Sequence, residues 1–301
     1  MTTDAHATSF GLPHRKLAMW VFIGSECMFF GSLIATYLAY EDRSLVGPMP
    51  AEILNIPLTS VSTFVLLMSS LAMVLFLDAV QRSERTAARA WNAAVIGLGG
   101  LFLAGQVYEF RHFYQEGLTL QQNLFGATFF VLTGFHGAHV TVGVVWMTAL
   151  LVLQFLGRLG PERSLDVEVA GLYWHFVDVV WIVIFTLVYL IQKGECPMAE
   201  DSTLEAHEGA ARSTYWIIAV VLGMITVLEV AVFYVPAIRG VIVPVLLALS
   251  TAKFALVAMF FMHLRYDSPV LTVVLSVGLL VATAIILAIM FLFGAIGRGT
   301  I

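Results

Sequence analysis

Phe125-Gly-Ala-Thr-Phe-Phe-Val-Leu-Thr-Gly-Phe-His136-Gly-Ala-His139-Val140 opens a run that stays free of Asp, Glu, Lys and Arg as far as Leu156. A bilayer core of roughly 30 Å needs about 20 mostly apolar residues in helical form. The run at 125–156 exceeds that, and seven others reach it: 17–40, 58–80, 91–110, 170–191, 214–235, 241–263 and 270–293. The composition agrees, with 60% apolar and 12% charged residues and a mean hydropathy of +0.92. Soluble domains are nearer half apolar and a quarter charged. The spacing therefore predicts an all-α, polytopic membrane bundle of eight transmembrane helices, and it excludes a soluble enzyme or a nucleic-acid-binding protein.

The polar start up to Arg15-Lys16 resembles a short cytoplasmic tail. No small-residue cleavage site follows the first apolar run, so that run is expected to stay as a helix. Lys and Arg on alternate sides number nine (Arg15, Lys16, Arg82, Arg85, Arg89, Arg158, Arg163, Arg239, Arg298) against five (Arg43, Arg111, Lys193, Arg212, Arg265). The positive-inside rule then puts the amino terminus in the cytoplasm. Cys27 in a span and Cys196 in a linker differ too much in depth for a disulfide. The acidic stretch 192–213, with Pro and Gly and no apolar periodicity, reads as a linker between a five-helix domain, 1–191, and a three-helix module, 214–301.

Small residues mark expected helix seams: Gly24, Cys27, Gly31 and Ala35 on the first span, and Gly97, Gly100 and Ala104 on the third. Ionisable groups within spans are costly and each needs a partner or a role. Glu26 lies about 200° from Gly24 at 100° per residue, so it faces a second surface and is a candidate for proton uptake or an interhelical tie. Gln106 and Glu109 share a face, and Glu109 beside Arg111 and His112 is expected in a solvated salt bridge. His136 and His139 fall on one side of the fourth span. His175 and Asp178 lie on the fifth, where Asp178 shares a stripe with Trp174, Trp181 and Phe185, and the two indole N–H groups can donate to a buried carboxylate.

Two histidines at i and i+3 could bind metal or haem with His175 and Asp178. The Glu-x-x-His repeat of di-metal bundles is absent, and no matched histidine pair stands on a facing helix. Interhelical hydrogen bonding is the better reading, so no metal site and no catalytic residue are assigned. In the last three spans, Glu229 and Lys253 flank the Pro236–Gly240 turn at depths about six residues, or roughly 9 Å, apart. A strained pair competes there with snorkelling of Lys253 to an interface. His263-Leu-Arg265-Tyr-Asp267 closes the seventh span as a charged boundary.

The strings are more specific than their physics. Trp20-Val-Phe-Ile-Gly-Ser-Glu26-Cys-Met-Phe-Phe30, Gly105-Gln106-Val-Tyr-Glu109-Phe110, the 125–140 stretch and Tyr173-Trp-His-Phe-Val-Asp178-Val-Val-Trp181 resemble, in order, motifs of haem-copper oxidase subunit III in its short, five-helix bacterial form. Residues 213–293, with Glu229-Val and Lys253-Phe-Ala-Leu-Val-Ala-Met-Phe-Phe-Met-His263-Leu-Arg265-Tyr-Asp267-Ser, resemble the small prokaryotic oxidase subunit IV.

The resemblance implies an accessory subunit of a proton-pumping terminal oxidase in a bacterial plasma membrane. It implies haem and copper in a catalytic subunit I, a subunit II that takes electrons from cytochrome c, bound phospholipid, and no cofactor in this chain. Membership of a larger respiratory supercomplex is compatible with it. Glu26 falls on the family's carbodiimide-reactive carboxyl. A quinol oxidase subunit and a nitric oxide reductase accessory protein are close rivals. A proton-coupled transporter and a membrane cytochrome b are rivals of other classes. One tension stands: a free-standing subunit IV is expected to begin in the cytoplasm, whereas five preceding spans would start this module outside.

Overall fold

The computed structural model describes residues 13–40, 54–191, 212–233, 242–262 and 269–292. Eight helices follow in order: α1 (His14–Tyr40), α2 (Ile56–Gln81), α3 (Arg85–Gln115), α4 (Leu124–Phe155), α5 (Ser164–Ile184), α6 (Arg212–Phe233), α7 (Ile242–Leu256) and α8 (Pro269–Leu292). A π-helical turn extends α5 over Phe185–Leu190, and another extends α7 over Val257–Phe261. Seven of the helices are long and apolar enough to cross a bilayer, and α6 adds a shorter apolar stretch, Ile217–Val232. The protein is a multi-pass membrane bundle.

Local chemistry sets the helix ends. Asn55 caps α2 by accepting the Leu58 N–H at 3.2 Å, and Asn123 caps α4 by accepting the Gly126 N–H at 2.7 Å. Gly117 and Gly157 follow α3 and α4 with φ of +86° and +68°, a conformation that L side chains resist. It turns the Leu118 N–H back to the Phe113 carbonyl and the Arg158 N–H back to that of Leu153, both at 2.9 Å. The α3 helix starts six residues before the predicted 91 and ends five after 110, because charged and polar ends continue a helix that hydropathy alone does not register.

Helix α5 is the hub. In its most apolar stretch 89% of residues are buried, against 28–33% for α1, α3 and α4. It is packed by α1, α2, α4 and α7. Helix α6 lies along α2, α7 along α5, and α8 along α1. The predicted seam on α1 is real: a Cβ on Gly31 would sit 3.0 Å from the Ala282 Cβ, and one on Gly278 would sit 2.9 Å from the Gly24 Cα. On α3 the expectation fails. A Cβ on Gly97 or Gly100 would meet nothing within 4 Å, while one on Gly99 would come to 2.6 Å of the Trp174 ring. Counting small residues finds a seam but does not say which turn of it faces inward.

Helix directions follow from these contacts. Gly24 meets Val274 and Gly278, and Gly31 meets Ala282, so α1 and α8 run parallel. Pairing α2 with α5 through Ser70–Asp178 and Thr63–Trp181 makes those two antiparallel. The α5 helix therefore finishes at the end of the bundle where α2 begins, whereas α6 begins at the end where α1 begins. The three-helix module thus starts at the same end of the bundle as α1, and Ile191 and Arg212 lie at opposite ends.

A buried polar network in the bundle core

Each polar candidate follows from where its helix turns it. Glu26 on α1 faces α4, with its Oε2 3.3 Å from His139 Nε2; the two side chains are 16% and 19% exposed. The other ring nitrogen, His139 Nδ1, lies 2.8 Å from the Phe135 carbonyl, and the Tyr173 hydroxyl donates to the His139 carbonyl at 2.9 Å. His136, one turn earlier, points instead into the core. It is fully buried, stacked on Trp181 at 4.8 Å between ring centroids, with the Phe102 edge at 5.8 Å. Two histidines read as one face thus serve different neighbours.

Gln106 donates to the Thr133 carbonyl at 2.7 Å and lies flat on Gly137, where a Cβ would come within 2.5 Å of Gln106 Oε1. Glu109 is not in a solvated salt bridge. It is buried and accepts from the Thr59 hydroxyl at 2.8 Å and the Tyr189 hydroxyl at 3.1 Å. The reason is the length of α3, which carries Glu109 six residues short of its end rather than at the membrane boundary.

The indoles of α5 do not donate to Asp178 either. Trp174 Nε1 donates to Ser69 Oγ at 3.0 Å and Trp181 Nε1 to Thr63 Oγ1 at 2.9 Å, while Asp178 Oδ2 accepts from Ser70 Oγ at 2.7 Å. Adjacent serines on α2 divide the work, because a stripe on one helix meets hydroxyls on its neighbour sooner than its own carboxylate. His175 is buried and meets the Phe261 ring at 5.5 Å. Lys253 does not snorkel. It is fully buried and donates to Glu229 Oε2 at 2.5 Å, also fully buried. A four-carbon stem closes the offset in depth that made the pair look strained. His263 lies outside the described residues.

The family model for cytochrome c oxidase subunit III matches residues 3–193, more than half of the chain. The chain belongs to the cytochrome c oxidase subunit III family. A second family model, prokaryotic cytochrome c oxidase subunit IV, matches residues 216–291. Among curated relatives, the quinol oxidase subunit 3 of Bacillus subtilis (strain 168) is 37% identical over 178 residues, covering 59% of this chain and 87% of that protein. The cytochrome c oxidase subunit 3 of Bacillus sp. (strain PS3) is 37% identical over 178 residues, covering 59% and 86%. That of Corynebacterium diphtheriae is 36% identical over 175 residues, covering 57% and 85%. This member of the subunit III family is an accessory subunit of a haem-copper oxidase, an enzyme complex with further subunits.

Within the subunit III region, reading the sequence missed Thr59, Thr63, Ser69 and Ser70 on α2, and Asn92, which donates to Gln154 Oε1 at 3.2 Å and to the Met147 carbonyl at 3.3 Å. Hydroxyls among apolar residues carry no charge signal. The hint available was their recurrence at helical spacing opposite the Trp and Glu of α5 and α3. Among the described residues no group of three or more His, Cys, Asp or Glu converges as a metal site would require.

Proposed function

We propose that the chain is a non-catalytic subunit of a proton-pumping cytochrome c oxidase in the bacterial plasma membrane, with its amino terminus in the cytoplasm. Subunit I would carry the haems and copper and reduce oxygen to water, and subunit II would receive electrons. The observation that carries this reading is how the buried polar atoms are used. Glu109, Asp178, Gln106, Trp174 and Trp181 each bind a neighbouring helix, so the core serves cohesion between helices. Such ties are worth about 0.6 kcal/mol each on average in folded membrane proteins, and up to about 1.7.

Glu26 and His139 make the exception, an ionisable pair at the partly exposed edge between α1 and α4. We assign them a part in proton uptake by the catalytic subunit. A bound phospholipid finds support in the apolar groove between α2 and α6, about 390 Å³, walled by Phe64, Met68, Gly223, Met224 and Val227. A quinol oxidase is the second reading, favoured by quinol oxidase relatives that match as well as the cytochrome c enzymes do.

The test is a pull-down of the tagged chain from native membranes in mild detergent, with visible spectra and oxygen uptake on the eluate. Haem and copper co-purifying with a larger subunit, and oxygen uptake driven by cytochrome c, is the expected result. Uptake driven by quinol alone would select the second reading, and a haem spectrum on the isolated chain would overturn both. In the same preparation Glu26→Gln should leave assembly unchanged and hasten the loss of activity during turnover; unchanged decay would remove Glu26 from proton uptake.

A further inference from the structure

Two carboxylic acids and one lysine meet where the three-helix module touches the five-helix domain. Lys253 on α7 is fully buried and bound to Glu229 of its own module at 2.5 Å. It also lies within coulombic reach of Asp178 on α5. The two helices are in direct contact, and the His175–Phe261 ring pair lies at their interface, three residues along α5 from Asp178 and eight along α7 from Lys253. Asp178 Oδ1 and Glu229 Oε1 are buried acceptors with no donor among the described residues. An ammonium has three donors, of which the Glu229 contact uses one. The unused acceptors and the unused protons thus lie on the two sides of the α5–α7 contact, the boundary between the two parts of the chain.

The tether does not impose this placement. A short loop forces its two helices to be antiparallel neighbours, but residues 192–211 join opposite ends of the bundle and leave the module's pose to its contacts. The module also matches a family described as a subunit in its own right.

We propose that Asp178, held by Ser70, is the receptor on the five-helix domain for the buried ammonium of Lys253, so that the three-helix module is seated as a detachable subunit by a Glu229–Lys253–Asp178 cluster. In a low-dielectric site a charge without its partner is heavily penalised, and the seat thereby rejects a small subunit that lacks the lysine. The α1–α8 and α2–α6 seams supply area, and the cluster supplies register.

The test uses the whole oxidase with a protease site placed within 192–211. After cleavage, the carboxy-terminal fragment should stay on the tagged amino-terminal domain through purification. Asp178→Asn, which leaves the module's own pair intact, should speed its release by roughly ten-fold or more. The double variant Glu229→Gln/Lys253→Met, which removes the module's own ion pair as a unit, should do the same, and adding Asp178→Asn to it should change little further. Lys253→Arg should retain the fragment. Wild-type fragment released on cleavage, unaltered retention in Asp178→Asn, or additive effects in the triple variant would each overturn the proposal. The readout is fragment retention, so it stands apart from which electron donor the oxidase uses.

Discussion

Glu109 shows how one acceptor on a membrane helix can hold two others. Its carboxyl receives the hydroxyls of Thr59 from α2 and Tyr189 from the end of α5. A buried donor deprived of its acceptor costs about 1–3 kcal/mol. Glu109→Leu should therefore destabilise the chain by about that amount, chiefly through Tyr189, since Thr59 can still donate to the Asn55 carbonyl at 3.0 Å. Glu109→Gln keeps an acceptor oxygen and should cost less. Denaturant unfolding in micelles orders the three proteins, and equal stability of the Leu variant would show that the tie contributes nothing. At this scale the sequence was a partial guide. It picked out Glu26, Gln106, Glu109, His136, His139, His175, Asp178, Glu229 and Lys253 as polar groups needing partners. It did not supply the partners, because hydroxyls such as Ser69, Ser70 and Thr63 are indistinguishable from tolerated surface residues until two helices are docked.

Among the elements, α5 is gripped in part through one aromatic plate. The Trp174 indole fills a slot between α3 and α4, where a Cβ on Gly99 would come to 2.6 Å and one on Gly143 to 2.7 Å of its ring. Overpacking a well-filled site costs about 1–3 kcal/mol, so Gly99→Ala should lower stability by that order. Gly97→Ala, with nothing within 4 Å, should raise it by about 0.5–1 kcal/mol through the better helix propensity of Ala. Thermal unfolding in detergent compares them, and matching shifts in the same direction would refute the slot. Existence and order of all eight helices were legible, since apolar length alone specifies them. Their rotation about their own axes was not, as the misplaced α3 seam shows. A helix in lipid is apolar on the side that meets the acyl chains as well as on the side that meets its neighbours, so little contrast between its faces marks the inward one.

For the whole molecule the decisive fact is direction. The α5 and α6 helices begin at the same end of the bundle, and the chain between them has to connect opposite ends. The 20 residues 192–211 reach roughly 65 Å when extended, against a bilayer core of roughly 30 Å. Five acids in that segment, Glu195, Glu200, Asp201, Glu205 and Glu208, make a path through hydrocarbon costly. In a chain with Cys27 and Cys196 replaced by Ser, cysteines at Ile191 and Arg212 should react with a membrane-impermeant maleimide from opposite sides of sealed vesicles. Reaction from one side alone would invert α6. The sequence exposed this tension, by setting five preceding spans against the habit of a free-standing small subunit, but parallel packing of the first and last helices could only be seen in three dimensions.

The encasement of α5 bears on how the protein is made. A ribosome delivers α5 to the bilayer before α6, α7 and α8 exist, so the wall that α7 will form is missing at first. For that interval the side of α5 that α7 later covers looks toward lipid, and the nascent chain exposes a flaw that only its own completion repairs.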